Sequence, residues 1–387
     1  MPPREPSDSR RPSHELYLVK SLVHGSDVLW AFQQAGEPLR LRDVMDRTGF
    51  PKGMCFRLLY TLRHCGFIEK VENNRYRLTG EIRRRKKYRV GYAAQGQDSS
   101  FADEVRRGLV RAAERAQIEL LVVDNRYQPR VALKNAQLLI REGVDLIVEF
   151  QTDESVAPTI ASAYHQARIP FIAIDIPHPG ATYFGANNYE AGLLAGRHLA
   201  RWAKQHWNGH ADELLLVELA RAGSVPAARL RGVAAGVREI LHDAAAWPIV
   251  SIDGDGQFKT SLERVRKHLR ETAATRILVG AANDPSALGA ARAFQEAGRS
   301  HTCAIVGQNA EPHARAELRA ENSPLIASVG YFPERYGEGV IRLALDLLGR
   351  GAAPPAVFVK HQLVTRANVD HLYPNDELMG VQRYASY

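Results

Sequence analysis

The sequence predicts an α/β protein in two unequal parts: a small basic module of helices with one hairpin, then a large body of parallel sheet with helices on both faces. Three observations predict it. Charge is split along the chain, with 19 Lys/Arg against 10 Asp/Glu in residues 1–89 and 32 against 33 in the rest. Apolar residues at helical spacing, interrupted by glycine and proline, fill residues 15–65, and an Asn-rich turn between two alternating runs follows. From residue 88 onward, short apolar strands alternate with amphipathic helices.

At 387 residues the chain exceeds what one core serves, and 45% apolar with 24% charged residues fits a globular protein rather than a disordered one. No run of eighteen apolar residues offers a membrane span, and the opening Met-Pro-Pro-Arg-Glu-Pro-Ser stretch has no apolar segment to act as an export signal. Cys55, Cys65 and Cys303 form no C-x-x-C pair, and His24, His64 and His301 stand near them without metal-ligand spacing. The expectation is a reducing cytoplasm, with no metal and no cofactor. The sequence lacks a G-x-G-x-x-G turn, a phosphate-binding loop and a G-x-S-x-G elbow, so no enzyme is expected. The basic excess in the first quarter speaks instead for a polyanionic partner.

After a leader over 1–14, expected to be disordered, Glu15–Gln34 carries Leu18, Leu22, Val28, Leu29 and Phe32 at helical spacing, and Gly36-Glu37-Pro38 stops the helix. A second helix spans Leu41–Thr48 and ends at Gly49. A third opens at Phe50-Pro51, with Pro in its first turn, and runs through Met54, Leu58, Leu59 and Leu62 to Cys65-Gly66. Two helices joined by a tight glycine turn make a helix-turn-helix, whose second helix fits the major groove of duplex DNA. Its exposed face offers Lys52, Gly53, Phe56 and Arg57. The runs 67–71 and 75–78 then read as a hairpin wing that places Arg75 and Arg77 to reach phosphate or the minor groove. Arg57 at the front of Arg-Leu-Leu reads as a base or phosphate contact, with pairing to Asp43 or Asp46 the alternative; Arg63 reads as a solvated face, and Cys55 and Cys65 read as small packing residues.

The stretch "LRDVMDRTGFPKGMCFRLLYTLRHCGFIEK…RYRL" resembles the winged helix of IclR-type regulators over residues 15–80. Turn, proline, Arg-Leu-Leu and wing tyrosine all fall in register. One departure is Gly53, where those regulators usually carry Ser or Thr, so a hydroxyl contact to phosphate is missing.

A basic linker over 81–87 leads to the second module, expected over 88–373. Strands are expected at 88–94, 119–124, 145–149, 170–174, 214–219, 276–281 and 303–307, with helices such as Ala102–Ala116, Arg130–Glu142 and Glu190–Gln205 between them. Such sheets bind ligands at the carboxyl ends of their strands. Six blocks here resemble, in order, the type I periplasmic sugar-binding proteins and the effector domains of lactose-repressor-like regulators. They begin with the aromatic segment Gln95–Phe101 with Gly108, then Ile169–Asp175 and Gly185–Gly192. Ala227–Gly232, Ala282–Ala290, and finally Val306–Asn309 with Ala327–Tyr331, complete the set.

The resemblance implies two lobes, one of about 88–188 with 332–360, the other of about 189–331 with 361–373, and a cleft lined by Phe101, Asp175, Arg231, Asn283, Asn309 and Tyr331. An aromatic face with fixed donors and acceptors suits a sugar. Asn283 also fits a helix cap, Asp175 a turn cap, Arg231 a surface helix and Phe101 the core. Three departures stand out: Ile176 where the family usually has Arg, Asn309 where it has Asp, and Glu149 where an amide is common. Residues 332–350 are expected to form a helix, Val357–Val364 one strand beside the hinge, and 374–387 a tail, disordered or packed on a partner.

Together the two resemblances imply a homodimeric regulator that binds a double-stranded operator and a small polar effector, a sugar or polyol, with no membrane contact. A sensor without ligand that serves only dimerisation, and a plain solute-binding protein, stay open as alternatives.

Overall fold

The computed structural model describes residues 19–32, 37–79, 88–96, 99–351 and 353–376. The expected leader, the linker 81–87 and the tail beyond 376 lie outside the described residues, as do Gln97 and Asp98. The chain forms two units, Met1–Lys86 and Lys87–Tyr387.

The first unit contains α1 (Lys20–Trp30), β1 (Leu39–Arg40), α2 (Leu41–Thr48), α3 (Lys52–His64), β2 (Ile68–Val71) and β3 (Arg75–Leu78). Its small core gathers Val28, Phe32, Val44, Cys55, Leu59 and Ile68. Gly49 ends α2 in the left-handed region at φ 70°, which lets α3 start one residue past Phe50-Pro51. Pro51 is the N-cap of α3 rather than a residue of its first turn. β3 pairs antiparallel with β2 and also with β1, a third strand too short to be read from the sequence. The turn of the wing holds Asn73 and Asn74 at positive φ, which Asn tolerates better than most residues. Two expectations need correction: Leu22 is exposed rather than buried, and so is Cys65, leaving Cys55 as the packing cysteine.

The second unit carries two six-stranded sheets. The first sheet is built from β4 (Arg89–Ala94), β5 (Glu119–Asp124), β6 (Leu146–Glu149), β7 (Phe171–Ile174) and β8 (Thr182–Gly185), with α4 (Ser100–Arg115), α5 (Pro129–Arg141) and α6 (Ala157–Gln166) in the crossovers. The chain then passes through α7 (Asn188–Trp207) to β9 (Glu213–Glu218), α8 (Ser224–Ile240), β10 (Ile249–Asp253), α9 (Phe258–Glu271), β11 (Ile277–Ala281), α10 (Asp284–Glu296), β12 (Cys303–Asn309), α11 (Pro312–Arg319) and β13 (Leu325–Gly330). It closes with α12 (Tyr336–Arg350), β14 (Ala356–Phe358), β15 (Gln362–Thr365) and α13 (Val369–Leu372).

The sheet orders are β14-β8-β7-β6-β4-β5 and β10-β9-β11-β12-β13-β15, parallel throughout except for β15 against β13. The chain therefore crosses between sheets three times: at the start of α7, between β13 and α12, and between β14 and β15. The single strand expected over Val357–Val364 is in fact two, one in each sheet, because residues 359–361 make the last crossing. The expected tail also begins too early. Asp376 is buried and accepts two hydrogen bonds from Arg315, at 2.8 and 2.7 Å, and a third from Arg319.

Candidate functional site

In the first unit, burial divides α3 cleanly. Cys55, Leu59 and Leu62 face the core, while Lys52, Gly53, Phe56, Arg57, Tyr60 and Arg63 are exposed. The spacing is that of a helix with one apolar stripe. Pro51 has no polar side chain to cap α3, and the Met54 amide already donates to the Pro51 carbonyl, so of the first turn only the Lys52 and Gly53 amides face outward to an anion. A Cβ at Gly53 would meet nothing within 4 Å, so space does not require the glycine there. Arg57 bonds only the Gly53 carbonyl of its own helix through Nε (3.3 Å), and no carboxylate among the described residues pairs with it; the Asp43 and Asp46 alternatives are not realised. The wing arginines differ. Arg77 donates to Glu69 across the hairpin at 2.5 Å, so its charge is partly neutralised, whereas the half-buried Arg75 makes no such pair among the described residues.

In the second unit, a cavity of about 1430 Å³ opens between the two sheets. Its walls come from the turns that leave the carboxyl ends of the parallel strands. Gln95 follows β4, Tyr127 follows β5, Phe150 follows β6 and Asp175 follows β7; Leu219, Asp255, Asn283 and Glu311 follow β9 to β12. Five non-glycine cleft residues, Arg126, Tyr127, Asp175, Asp255 and Asn309, hold positive φ, from 50° to 105°. Each costs on the order of 1 kcal/mol, a cost tolerated only where the surrounding structure fixes the backbone.

Phe101 opens α4 and packs edge-on against Phe150 and Tyr336, with centroids 6.2 and 5.6 Å away, presenting an apolar wall. Asp175 accepts from the Ala186 amide at 3.2 Å and from Tyr336 at 3.4 Å; burial pushes its carboxyl up to about 6, against the opposing pull of the Arg229 charge. Asn283 caps α10, its Oδ1 accepting from the Ser286 amide at 3.0 Å and its Nδ2 donating to Gly256 at 2.9 Å. Asn309 donates to Glu311, and burial drives the Glu311 carboxyl upward while bonds from Ser100 and Asn309 restrain it. No cluster of metal-ligating side chains occurs among the described residues.

Phe101, Asp175, Asn283 and Asn309 thus line the cleft, and the three other expected residues do not. Arg231 lies exposed on α8 and donates to the Ser224 carbonyl. Its place is taken by Arg229, buried, donating through Nε and Nη2 to Asn188 Oδ1 at 3.1 and 2.8 Å and through Nη1 to the Ala282 carbonyl. Two residues on a helix turn by about 200°, so only one of these arginines can face inward. The sequence holds the signal that selects it. Gly192 and Gly196 of α7 meet Gly232 and Gly236 of α8 so closely that a Cβ at Gly192 would sit 1.9 Å from the Arg229 carbonyl oxygen, and Arg229 shares the Gly232–Gly236 face.

Tyr331 lies behind the cleft rather than in it. Its ring lies 5.0 Å from the Arg229 guanidinium and its hydroxyl donates to Gln308 at 2.8 Å. Glu149 is wholly buried, accepting from Tyr164 at 2.5 Å and Asn125 at 3.0 Å, and burial raises its carboxyl to about 7. It props the floor of the first sheet.

Among the described residues, several contacts join the two lobes across the opening. Ser100 donates to Glu311 at 2.5 Å, Tyr127 donates to the Asp255 carbonyl at 3.5 Å beneath the Arg221 guanidinium, and the Ser224 amide donates to Glu154 at 3.3 Å. The last occurs beside Gly223 (φ 85°), where a Cβ would collide with the Glu154 carboxylate.

Residues 90–352 match the family model of the periplasmic binding protein domain, and residues 21–72 that of the IclR helix-turn-helix domain. The ribose import binding protein of Escherichia coli K12 is 25% identical over 254 residues, which cover 65% of this chain and 81% of that protein. Its counterpart from Salmonella typhimurium LT2 is 24% identical over the same length and coverage. Among solved structures, a solute-binding protein from Mycobacterium smegmatis with bound glycerol superposes with a TM-score of 0.66 at 21% identity, covering 74% of this chain and 96% of that one. One from Bacillus halodurans with bound myo-inositol gives 0.65 at 19% identity, covering 74% and 98%.

Proposed function

The chain belongs to the periplasmic binding protein domain family, and from that premise we propose that it is a DNA-binding transcriptional regulator whose operator affinity is set by a small polar effector, a sugar or polyol, held between its lobes. One observation carries the reading: a helix-turn-helix with an exposed cationic face and a cleft of fixed polar groups occur in one chain. The first is built for phosphate and base edges, the second for hydroxyls. Asp175 accepts from a diol, Phe101 covers an apolar ring face, and Arg229 sets the charge of the wall. Ribose, glycerol and myo-inositol, the ligands named for the relatives, set the size range to test first. Closure of the lobes on the effector then shifts the balance between conformers of differing operator affinity. A homodimer would supply two readers for symmetric half-sites, in the compartment that holds the chromosome. No helix among the described residues is long and apolar enough to cross a membrane.

The test is a paired titration of the full chain. Fluorescence anisotropy against duplexes selected from a random pool should show binding that weakens steeply with salt. Thermal-shift screening against pentoses, hexoses, inositols and glycerol should give at least one stabilising ligand that also changes duplex affinity. A ligand that stabilises the chain with no effect on any selected duplex would sink the coupling, and failure to enrich any duplex would sink the DNA reading.

A further inference from the structure

The exposed face of α3 carries two large aromatics with no evident structural duty. Phe56 is 54% exposed and Tyr60 is 65% exposed, and no ring contact among the described residues involves either. They stand four residues apart in line with Lys52, flanked by Arg57 and Arg63, on a helix that contains no acidic residue. Hydrophobic burial explains Cys55, Leu59 and Leu62 on the opposite side; it explains neither aromatic.

We infer that Phe56 and Tyr60 read thymine methyl groups in the major groove. The inference rests on the DNA-binding reading above and adds to it which base-pair feature the helix recognises. Cations on the same face complement a polyanion, and the apolar feature that a duplex shows in its major groove is the C5-methyl of thymine. Four residues of helix advance about 6 Å, a little under two base-pair rises of roughly 3.4 Å, so the two rings meet methyls on base pairs up to two steps apart. Neither ring donates to a base edge from its face, so the discrimination is by apolar contact. The specified half-site carries thymine at one or two fixed positions.

The experiment uses the full chain. Duplexes are selected from a random pool, and each thymine of the consensus half-site is replaced by deoxyuridine, which keeps Watson–Crick pairing and removes only the methyl. One or two replacements should weaken wild-type binding about fourfold each, the worth of one buried methyl. Phe56→Ala should lose the effect of one of these replacements and Tyr60→Ala the effect of the other, each variant staying sensitive at the position the remaining ring reads. Both side chains are exposed, so the variants should keep the wild-type melting temperature and circular dichroism. Consensus duplexes bound tightly but indifferent to every deoxyuridine would overturn the inference and leave DNA binding standing. Sensitivity retained at every thymine position in both variants would also overturn it, as would variants that change the oligomeric state while keeping full thymine dependence. A pool that yields no enriched duplex overturns both readings together.

Discussion

On α3 the cations Lys52, Arg57 and Arg63 stand exposed in a helix without a single acidic residue, whereas in the cleft unit Arg229 and Arg315 are buried and held by named acceptors. On the proposed function, the contrast follows from what each surface would meet. A duplex brings its own negative charge, so the protein's cations are most useful when free. A neutral polyol brings none, so cleft charges must be balanced by the protein itself before the ligand arrives. In the cleft, Arg229 is held by an amide oxygen and a carbonyl and faces the charge of Asp175; away from the cleft, Arg315 is paired with Asp376. On the proposed reading, the difference teaches that free cations suit the surface that meets a polyanion and held cations the cleft that meets a neutral ligand.

Four measurements would break or sharpen this contrast. The largest effect is expected from Arg229→Ala, which leaves Asn188 Oδ1 and the Ala282 carbonyl without their donor. Effector affinity should fall on the order of a hundredfold, about 3 kcal/mol, in calorimetric titration. Arg231→Ala, on the exposed side of the same helix, should change it by less than about 0.5 kcal/mol. Equal losses would mean that burial does not decide which arginine acts.

Next comes pH. Glu149 is raised from 4.5 to about 7 by burial, so the folded state binds its proton more tightly than the unfolded chain does. Stability should therefore be full below about pH 4.5 and decline as pH rises through 7, by roughly 3 kcal/mol in all from this group. Glu149→Gln, uncharged at every pH, should remove that decline. Melting temperatures that fall as steeply in the variant as in the wild type would show that this carboxyl is not the source.

A smaller effect should follow from Lys52→Ala. The logarithm of duplex affinity against the logarithm of salt should lose about one unit of slope, with little change in consensus sequence. The smallest concerns the wing. Glu69→Gln releases Arg77 from its pair, so duplex affinity should rise about twofold to threefold at low salt, the worth of a surface ion pair. A fall instead would mean that Glu69 holds Arg77 in its working position.

How much of this was legible beforehand differs between the units for the same reason. Every candidate contact on α3 comes from one periodic segment, so helical spacing separated Lys52, Phe56 and Arg57 from Cys55 and Leu59. Tyr60 follows from the same stripe. The cleft draws on eight separate turns, and only the glycine spacing of α7 and α8 tells which of two nearby arginines faces inward; Arg229 was missed for Arg231, and Tyr127, Arg221 and Glu311 were not anticipated. The apolar runs of β4, β6, β7 and β12 were plain because those strands are buried on both faces. β10 is an edge strand with exposed residues, and β8 has only four residues next to glycine, so neither stood out. The split of 356–365 into two strands was invisible because the crossing changes no residue type, only the sheet each half joins.

The contacts made by Ser100, Tyr127 and Glu154 have a thermodynamic corollary. Jaws that grip each other through their own side chains are partly prepaid, and the occupant supplies only the balance of the closing free energy. Apparent affinity then depends on the resting fraction of shut molecules as much as on complementarity. Weakening a clasp at the rim would retune sensitivity without altering a single group in the cleft interior.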